Sequence, residues 1–358
     1  MNLKDLVTEA KNIALIFDLD ADGVCSAKIT YEAINRLQKD INHFFPSPSG
    51  NLNDESLING LKNAEPDLLI IVDDELRDTA KIVKLFKFNI VVIDHHSIQN
   101  MPVKKNIHYF NPKVEGNDAY TPAAKYCFDL FSKIVDIEDL DWIAAIGVIS
   151  DSGAPFFKDF LKKVFKKYEK DSGKDSDYFS DSFFGYLGEL INSGKIVKGN
   201  DGALNALDIL KQSSNPDDFL EKAYELRQWQ KNVDEYLAEV LLDFESKKEA
   251  YNNLNLYFYS FNPKFKIGSV LSNIISFKNP DKTVVIFSKK SKIVSVSYRR
   301  QDKKVDMNEL ARQSIKGLAE SGGGGHVPAA GGHVQAKDLN ILKRNIIMVL
   351  KNMAEKSN

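Results

Sequence analysis

Short apolar runs that stop abruptly at acidic residues mark the first third of the chain. Ile13 to Phe17, Leu68 to Val72 and Ile90 to Ile93 are apolar at every position, the pattern of strands buried on both faces of a parallel sheet. The first run stops at Asp18-Leu19-Asp20-Ala21-Asp22-Gly23, the second at Asp73-Asp74 and the third at Asp94-His95-His96. Between them the apolar spacing lengthens. Leu3 to Lys11 reads as a short helix, and Ser26 to Leu37 as a longer one in which Ala27, Tyr31, Ile34 and Leu37 share a face. A further helix is expected at roughly Arg77 to Phe86. Strand and helix in alternation predict a parallel α/β sheet with flanking helices, and in such sheets ligands bind at the carboxyl ends of the strands.

Tyr109 to Pro112 opens a loop, Thr121 to Ile134 reads as a helix, and the apolar stretch Leu140 to Ile149 closes on Ser150-Asp151. From Asp159 to Lys174 the chain is lysine-rich. Lys158, Lys162, Lys166 and Lys170 recur every fourth position beside an apolar stripe of Leu161, Val164, Phe165 and Tyr168, an amphipathic helix with a solvated face. Gly199 to Phe244 is helical and charged, with Asn215-Pro216-Asp217-Asp218 as a cap, and reads as a connector. From Leu254 the texture turns to strands, Leu256 to Phe261, Thr283 to Phe287 and Ile293 to Tyr298, with helices at Gly268 to Phe277 and Met307 to Ala319. The expected organisation is an α/β domain over residues 1–198, a helical connector over 199–250 and a smaller C-terminal α/β domain over 251–358.

Composition narrows the function classes. With 48 Lys and Arg against 50 Asp and Glu the net charge is −2, so any phosphate-binding charge must be local. Cys25 and Cys127 are the only two cysteines, which argues against a disulfide scaffold and fits a reducing cytoplasm. Met1 to Lys11 mixes charge with isolated apolar residues, unlike a signal peptide. No run approaches the roughly 20 apolar residues of a membrane span. A cytoplasmic protein with no membrane partner is expected.

The acidic strand ends carry the chemistry. One carboxylate at a strand end is ordinary, but three consecutive strands doing so gather repelling charges that a shared cation resolves. The run from Asp18 to Gly23 is not a calcium loop. That motif needs a preceding helix and a glutamate at its twelfth position, which here is Ile29. Carboxylates mixed with imidazole suit Mn²⁺, whereas a structural zinc site would favour cysteine. Near the C-terminus, Gly322 to Gly325 could turn backbone N–H groups toward an anion. A flexible linker is the competing reading; His326 and the Pro328-Ala329-Ala330-Gly331 that follow count against it. His43, His108 and His333 are assigned no role.

Together these motifs resemble the DHH phosphoesterase superfamily in its subclass with a DHHA1 domain. Asp94-His95-His96 is the tripeptide of the name. The first motif is like Phe17 to Gly23, the second like Val72-Asp73, the fourth like Gly147 to Asp151, and the DHHA1 signature like Gly323 to Gly331. Pyrophosphatase-like and nanoRNase-like members usually carry a histidine where this chain has Ile16. The Asp-x-Asp-x-Asp-Gly form is similar to RecJ-type exonucleases, and Asn111-Pro112-Lys113 resembles archaeal RecJ-like proteins, including the GINS-associated nuclease. Bacterial RecJ continues beyond DHHA1 into an OB-fold, whereas this chain ends soon after its glycine motif.

The resemblance implies a two-metal site holding Mn²⁺, with Mg²⁺ as the alternative. Its ligands would be Asp20, Asp22, Asp73 as a bridge, His95 and Asp151, with Asp18 a ligand or a neighbour of one. His96 would contact the scissile phosphate or orient water, and Asp94 would hold a ligating histidine in its tautomer. Asp73, Asp94 and His96 are thus the catalytic set, and Asp74 is bland. Arg299, in Ser297-Tyr298-Arg299, would bind phosphate bidentately, with His326 and the amides of Gly323, Gly324 and Gly325 on the terminal phosphate. Arg300 faces the other side of the strand. The implied activity is a single-strand exonuclease on DNA or RNA, with single-stranded nucleic acid or a short oligonucleotide, and replication or repair proteins, as partners. Cleavage of very short oligonucleotides or cyclic dinucleotides is one alternative. A catalytically silent replication-fork scaffold is the other, against which the intact acidic set argues.

Overall fold

The computed structural model describes residues 2–47, 54–74, 87–96, 105–116 and 120–356. The chain divides into two compact units, Met1–Lys231 and Asn232–Asn358. In the first, β1 (Ile13–Asp18), β2 (Ile41–Ser47), β3 (Leu68–Val72), β4 (Asn89–Ile93) and β5 (Ile107–Phe110) form one parallel sheet in the order β2-β1-β3-β4-β5. All six residues of β1 and all five of β3 are buried. The period-two alternation divides them between two cores. Leu15, Phe17, Ile70, Val72, Val91 and Ile93 enter one, while Ala14, Ile16, Leu69, Ile71, Ile90 and Val92 enter the other. Continuous apolar runs are therefore what these strands need.

The register sets the edge that matters. Phe17 pairs with Val72, Val72 with Ile93, and Ile93 with Phe110, so the carboxyl ends of neighbouring strands are level. Around the sheet lie α1 (Leu3–Glu9), α2 (Ala21–Arg36), α3 (Glu55–Ala64), α4 (Ala123–Ser132), α5 (Asp141–Ser150), α6 (Lys158–Lys167) and α7 (Phe183–Lys198). The expected helix near residues 77–86 lies outside the described residues. α6 buries Leu161, Val164 and Phe165, as its stripe requires. The stretch read as one connector resolves into α8 (Asn200–Lys211), α9 (Pro216–Lys222) and α10 (Tyr224–Lys247). Ala203, Leu207, Leu210, Phe219 and Leu226 belong to the core of the first unit, so α8 and α9 complete that unit, and the boundary falls within α10. No described helix is long and apolar enough to cross a membrane.

The second unit is a mixed six-stranded sheet. It comprises β6 (Glu249–Tyr251), β7 (Leu256–Phe261), β8 (Thr283–Lys290), β9 (Ile293–Arg299), β10 (Gly322–His326) and β11 (Ala329–Gln335), in the order β10-β11-β9-β8-β7-β6. Only the β7–β8 pair is parallel. β9 sends Val294, Val296 and Tyr298 into a core with α12 (Met307–Ser314) and α13 (Leu339–Lys356), and α11 (Gly268–Lys278) links β7 to β8. The glycine run differs from the anion-cradling loop read in the sequence. It is the edge strand β10, with Gly324 opposite Gly331, because a following strand of small residues offers it a ladder to join.

Candidate metal centre

Each acidic side chain is placed by a specific local device. Asp18 ends β1. Asp20 caps α2 by accepting from the Gly23 amide (3.2 Å). The turn is so tight that a Cβ on Gly23 would lie 2.3 Å from the Asp18 carbonyl oxygen, so only glycine closes it. Asp22, in the first turn of α2, is 2 % exposed and accepts from the amides of Ala123 (2.7 Å) and Ala124 (2.9 Å) at the positive end of α4. A Cβ at Gly147 would come within 2.5 Å of Asp22 Oδ1, which explains a glycine inside the otherwise bulky α5. Asp73 leaves β3 at φ 52, in the left-handed region, while its N–H donates to the Ile93 carbonyl (3.1 Å). Aspartate is among the few non-glycine residues that adopt this conformation. Asp151 caps the carboxyl end of α5.

The sheet edge and helix ends bring these groups together. His95 Nε2 lies 3.4 Å from Asp73 Oδ1 and 3.5 Å from Asp151 Oδ2. Three sets of side chains each place one candidate ligand atom per residue within 4.8 Å: Asp73 with Asp94, His95 and His96; Asp22 with His95 and Asp151; and Asp18 with Asp20 and Asp73. Asp73 and His95 each occur in two sets, so the three are joined. Every residue assigned to metal or catalysis in this half of the chain is in the cluster. One detail differs from expectation. Asp94 Oδ1 bonds His96 Nδ1 (2.8 Å), not the ring of His95. The buried Nδ1 of His95 has no hydrogen-bond partner among the described residues.

Three contributors had no signal in the sequence. Lys195 of α7 places Nζ 3.3 Å from both Asp18 Oδ2 and Asp20 Oδ2. The Tyr120 hydroxyl donates to Asp151 Oδ2 (2.5 Å). Asn192 Oδ1 accepts from the Ala21 amide at the start of α2 (2.9 Å). Lys195 looks like any other lysine of an ordinary helix, and only the fold shows which carboxylates it meets.

The electrostatics follow from burial and crowding. Desolvation, then the charges of neighbouring carboxylates, push Asp22 and Asp73 well above the usual carboxylate range. Burial raises Asp151 to about 7. Burial acts on Asp20 as well, but the Lys195 ammonium and hydrogen bonds outweigh it and hold that group below its ordinary value. His95 falls to about 4 through burial and the nearby His96, so it is a neutral imidazole with a free lone pair at physiological pH. Several buried carboxylates that resist ionisation and a neutral imidazole with an orphan ring nitrogen form a donor set that fits divalent cations of the Mn²⁺ and Mg²⁺ type.

In the second unit, Arg299 at the end of β9 is half-buried. Its guanidinium donates to Asn273 Oδ1 (2.6 Å), Ser269 Oγ (2.8 Å) and the carbonyls of Tyr298 (2.9 Å) and Ala330 (3.2 Å). All four acceptors are neutral, and burial pulls the group below the usual arginine range. Arg300, 7 % exposed, bonds Asp302 and Thr283 and is structural. His326 and Gly325 are exposed; the Gly325 amide donates to Asn308 Oδ1 (3.0 Å), while Gly323 and Gly324 sit within the edge strand. The glycine amides are thus part of a strand edge, and one of them already has a side-chain acceptor.

Residues 12–145 match the DHH family, N-terminal domain, and residues 256–352 match the DHHA1 domain; the chain belongs to the DHH/DHHA1 superfamily. No curated protein matches its sequence. RecJ from Thermus thermophilus in complex with Mn²⁺ shares its fold at a TM-score of 0.75 and 16 % identity over 98 % of this chain and 54 % of that one, so this chain spans about half the length of that protein. Exonuclease RecJ bound to manganese gives a TM-score of 0.69 at 16 % identity, covering 98 % and 94 % of the two chains. CDC45 from Entamoeba histolytica gives 0.58 at 11 %, covering 98 % and 97 %. At these identities the likeness is one of fold.

Proposed function

We propose that the chain is a divalent-metal-dependent phosphodiester hydrolase that acts as a RecJ-like exonuclease on single-stranded DNA or RNA, using two Mn²⁺ or Mg²⁺ ions. The observation that carries the reading is the joining of three ligand sets through Asp73 and His95. Adjoining sets with shared members are what two close ions require, and isolated acidic clusters lack that linkage. Asp18, Asp20 and Asp73 would hold one ion, and Asp22, His95 and Asp151 the other, with Asp73 adjoining both. Bound there, two divalent ions supply an activated water and neutralise charge on the phosphoryl group.

The protein's own groups do the rest. Asp94 Oδ1 pairs with Nδ1 of His96 (2.8 Å) and orients that ring, on a side chain 42 % exposed, where it would contact a phosphate oxygen or a water. Tyr120 holds one oxygen of Asp151, and the two α4 amides hold Asp22, so both carboxylates are oriented before any ligand arrives. Arg299, charged and answered only by neutral acceptors, suits a phosphate of the substrate, with His326 and the backbone of Gly323, Gly324 and Gly325 as further contacts. Replication or repair proteins are the partners this activity suggests. The net charge of −2 favours, as a second reading, very short oligonucleotides or cyclic dinucleotides.

Digestion of 5′-labelled and 3′-labelled oligonucleotides, DNA and RNA, at two lengths with Mn²⁺ tests the proposal. Stepwise loss of mononucleotides from one end is expected, with no reaction in excess chelator. Full activity in chelator, or circular single strands cut as fast as linear ones, would overturn it. Activity confined to the shorter length selects the second reading.

A further inference from the structure

The metal centre continues outward as a row of rings. His96 and His95 have ring centroids 4.4 Å apart, His95 and Tyr120 5.4 Å, and Tyr120 and Phe156 6.0 Å. The first three rings belong to the centre or hydrogen-bond to it. The fourth does neither and is 60 % exposed. A lone exposed phenylalanine is ordinary on a protein surface. This one is in ring contact with the tyrosine that holds Asp151, five residues after Asp151 itself.

Nor is it on a loose segment. Phe156 ends the short 3₁₀ turn Ala154–Phe156, whose first residue is fully buried. The Gly153 amide donates to the Val148 carbonyl (2.8 Å), Phe156 to Gly153 (3.0 Å) and Phe157 to Ala154 (3.1 Å), and Phe157 packs against the main core of the unit. With Ala154 buried and Phe157 packed on the core, the ring is held out in water beside the centre. An apolar ring kept exposed at that place suits a flat apolar ligand face.

We propose that Phe156 is a stacking platform for an unpaired nucleobase of the substrate, next to the phosphodiester at the metal centre. The inference rests on the exonuclease reading above and gives that site a specificity element. Every base has a π-face, so the platform is indifferent to sequence. A base inside a duplex is already stacked on both sides and cannot use the ring. Single-strand preference therefore has a local cause in the first unit, independent of Arg299.

The test compares wild type, F156A, F156L and F156W by KM and kcat with Mn²⁺. The substrates are a short single-stranded oligonucleotide of the sugar type that the wild type cuts faster, and the same backbone with abasic residues at the degraded end. Loss of one base–aromatic stack predicts a KM about tenfold higher or more for F156A and F156L on the base-bearing strand. F156W should keep the wild-type value. On the abasic strand all four proteins should share one KM, close to that of F156A on the normal strand. An unchanged KM in F156A overturns the proposal. So does an equal penalty on the abasic strand, which would make the ring a support for Tyr120 and the turn. F156L matching the wild type also overturns it, since bulk alone would then suffice. A wild type that cuts neither strand overturns the exonuclease reading and this inference with it, whereas a wild type that cuts the base-bearing strand no better than the abasic one overturns the stacking alone.

Discussion

The first unit's parallel strands deliver Asp18, Asp73 and Asp94 to one sheet edge, where helices α2 and α5 add Asp20, Asp22 and Asp151. The second unit's mixed sheet ends β9 in one cation, Arg299. The carboxylates are crowded, and among the described residues Lys195 brings an ammonium to Asp18 and Asp20. The guanidinium has four neutral acceptors. The first unit thus crowds acidic side chains against one another, and the second surrounds a guanidinium with neutral acceptors. A guanidinium bonded to neutral acceptors differs from one in an ion pair. Arg300, one residue on, is as buried as a core residue yet has Asp302, and it calls for no ligand. Unanswered charge costs stability and persists where something else binds.

The sharpest break of this contrast is at Asp73. Because its backbone is left-handed, Asp73→Asn keeps a residue that tolerates the conformation while removing the charge. Loss of a metal-bridging carboxylate removes several kcal/mol of charge stabilisation. Hydrolysis should therefore fall by about a thousandfold or more, while the metal-free protein melts no lower than wild type. Retained turnover, or a markedly lower Tm without metal, would contradict the assignment.

On the other side of the comparison, Arg299→Ala removes the cation without touching the acidic cluster. Hydrogen bonds to a charged group are worth about 1.5–3 kcal/mol, so KM should rise about ten- to hundredfold with kcat nearly unchanged. Arg300→Ala should do the reverse, lowering Tm by leaving Asp302 without its partner. Equal kinetic effects of the two variants would erase the distinction between answered and unanswered arginines.

The acidic edge also has a pH signature. Asp22, Asp73 and Asp151 keep protons in the folded metal-free protein that the unfolded chain has already released, the last with a folded value of about 7 against an ordinary 3.8. Stability present below the ordinary carboxylate range is therefore lost as pH rises through the folded values. Tm of the metal-free protein should fall between about pH 4 and pH 7, and the fall should be shallower in D73N. Asp20 and Asp94, held below their ordinary values, act with the opposite sign at lower pH. Superimposable wild-type and D73N profiles would remove the repulsion argument.

The smallest effect is expected from Lys195→Met. The lysine is one-third exposed, so its pairs contribute roughly 1 kcal/mol or less, or about 2–4 °C in Tm. The variant should melt lower without metal and gain more from Mn²⁺ than wild type gains, because the ion then replaces the missing cation. A metal-free Tm at or above wild type would show that Lys195 does not offset the carboxylates.

The buried strands were legible because a strand covered on both faces admits only apolar residues. Ile13–Phe17, Leu68–Val72 and Ile90–Ile93 show this, and their acidic ends follow by adjacency in the chain. The glycines of the DHH motifs have physical causes too: Gly23 is dictated by a tight turn and Gly147 by the close approach of Asp22 and Ala124. What the linear pattern left open depends on partners far away in the chain. Lys195 meets Asp18 across 177 positions, Asn192 meets Ala21 across 171, and neither helix position carries a mark of it. The glycine run is permissive in isolation and became an edge strand only because β11 lies beside it. Local chemistry therefore determined which residues can act, and packing between distant segments decided which carboxylates Lys195 meets and which phenylalanine is left facing water beside the centre.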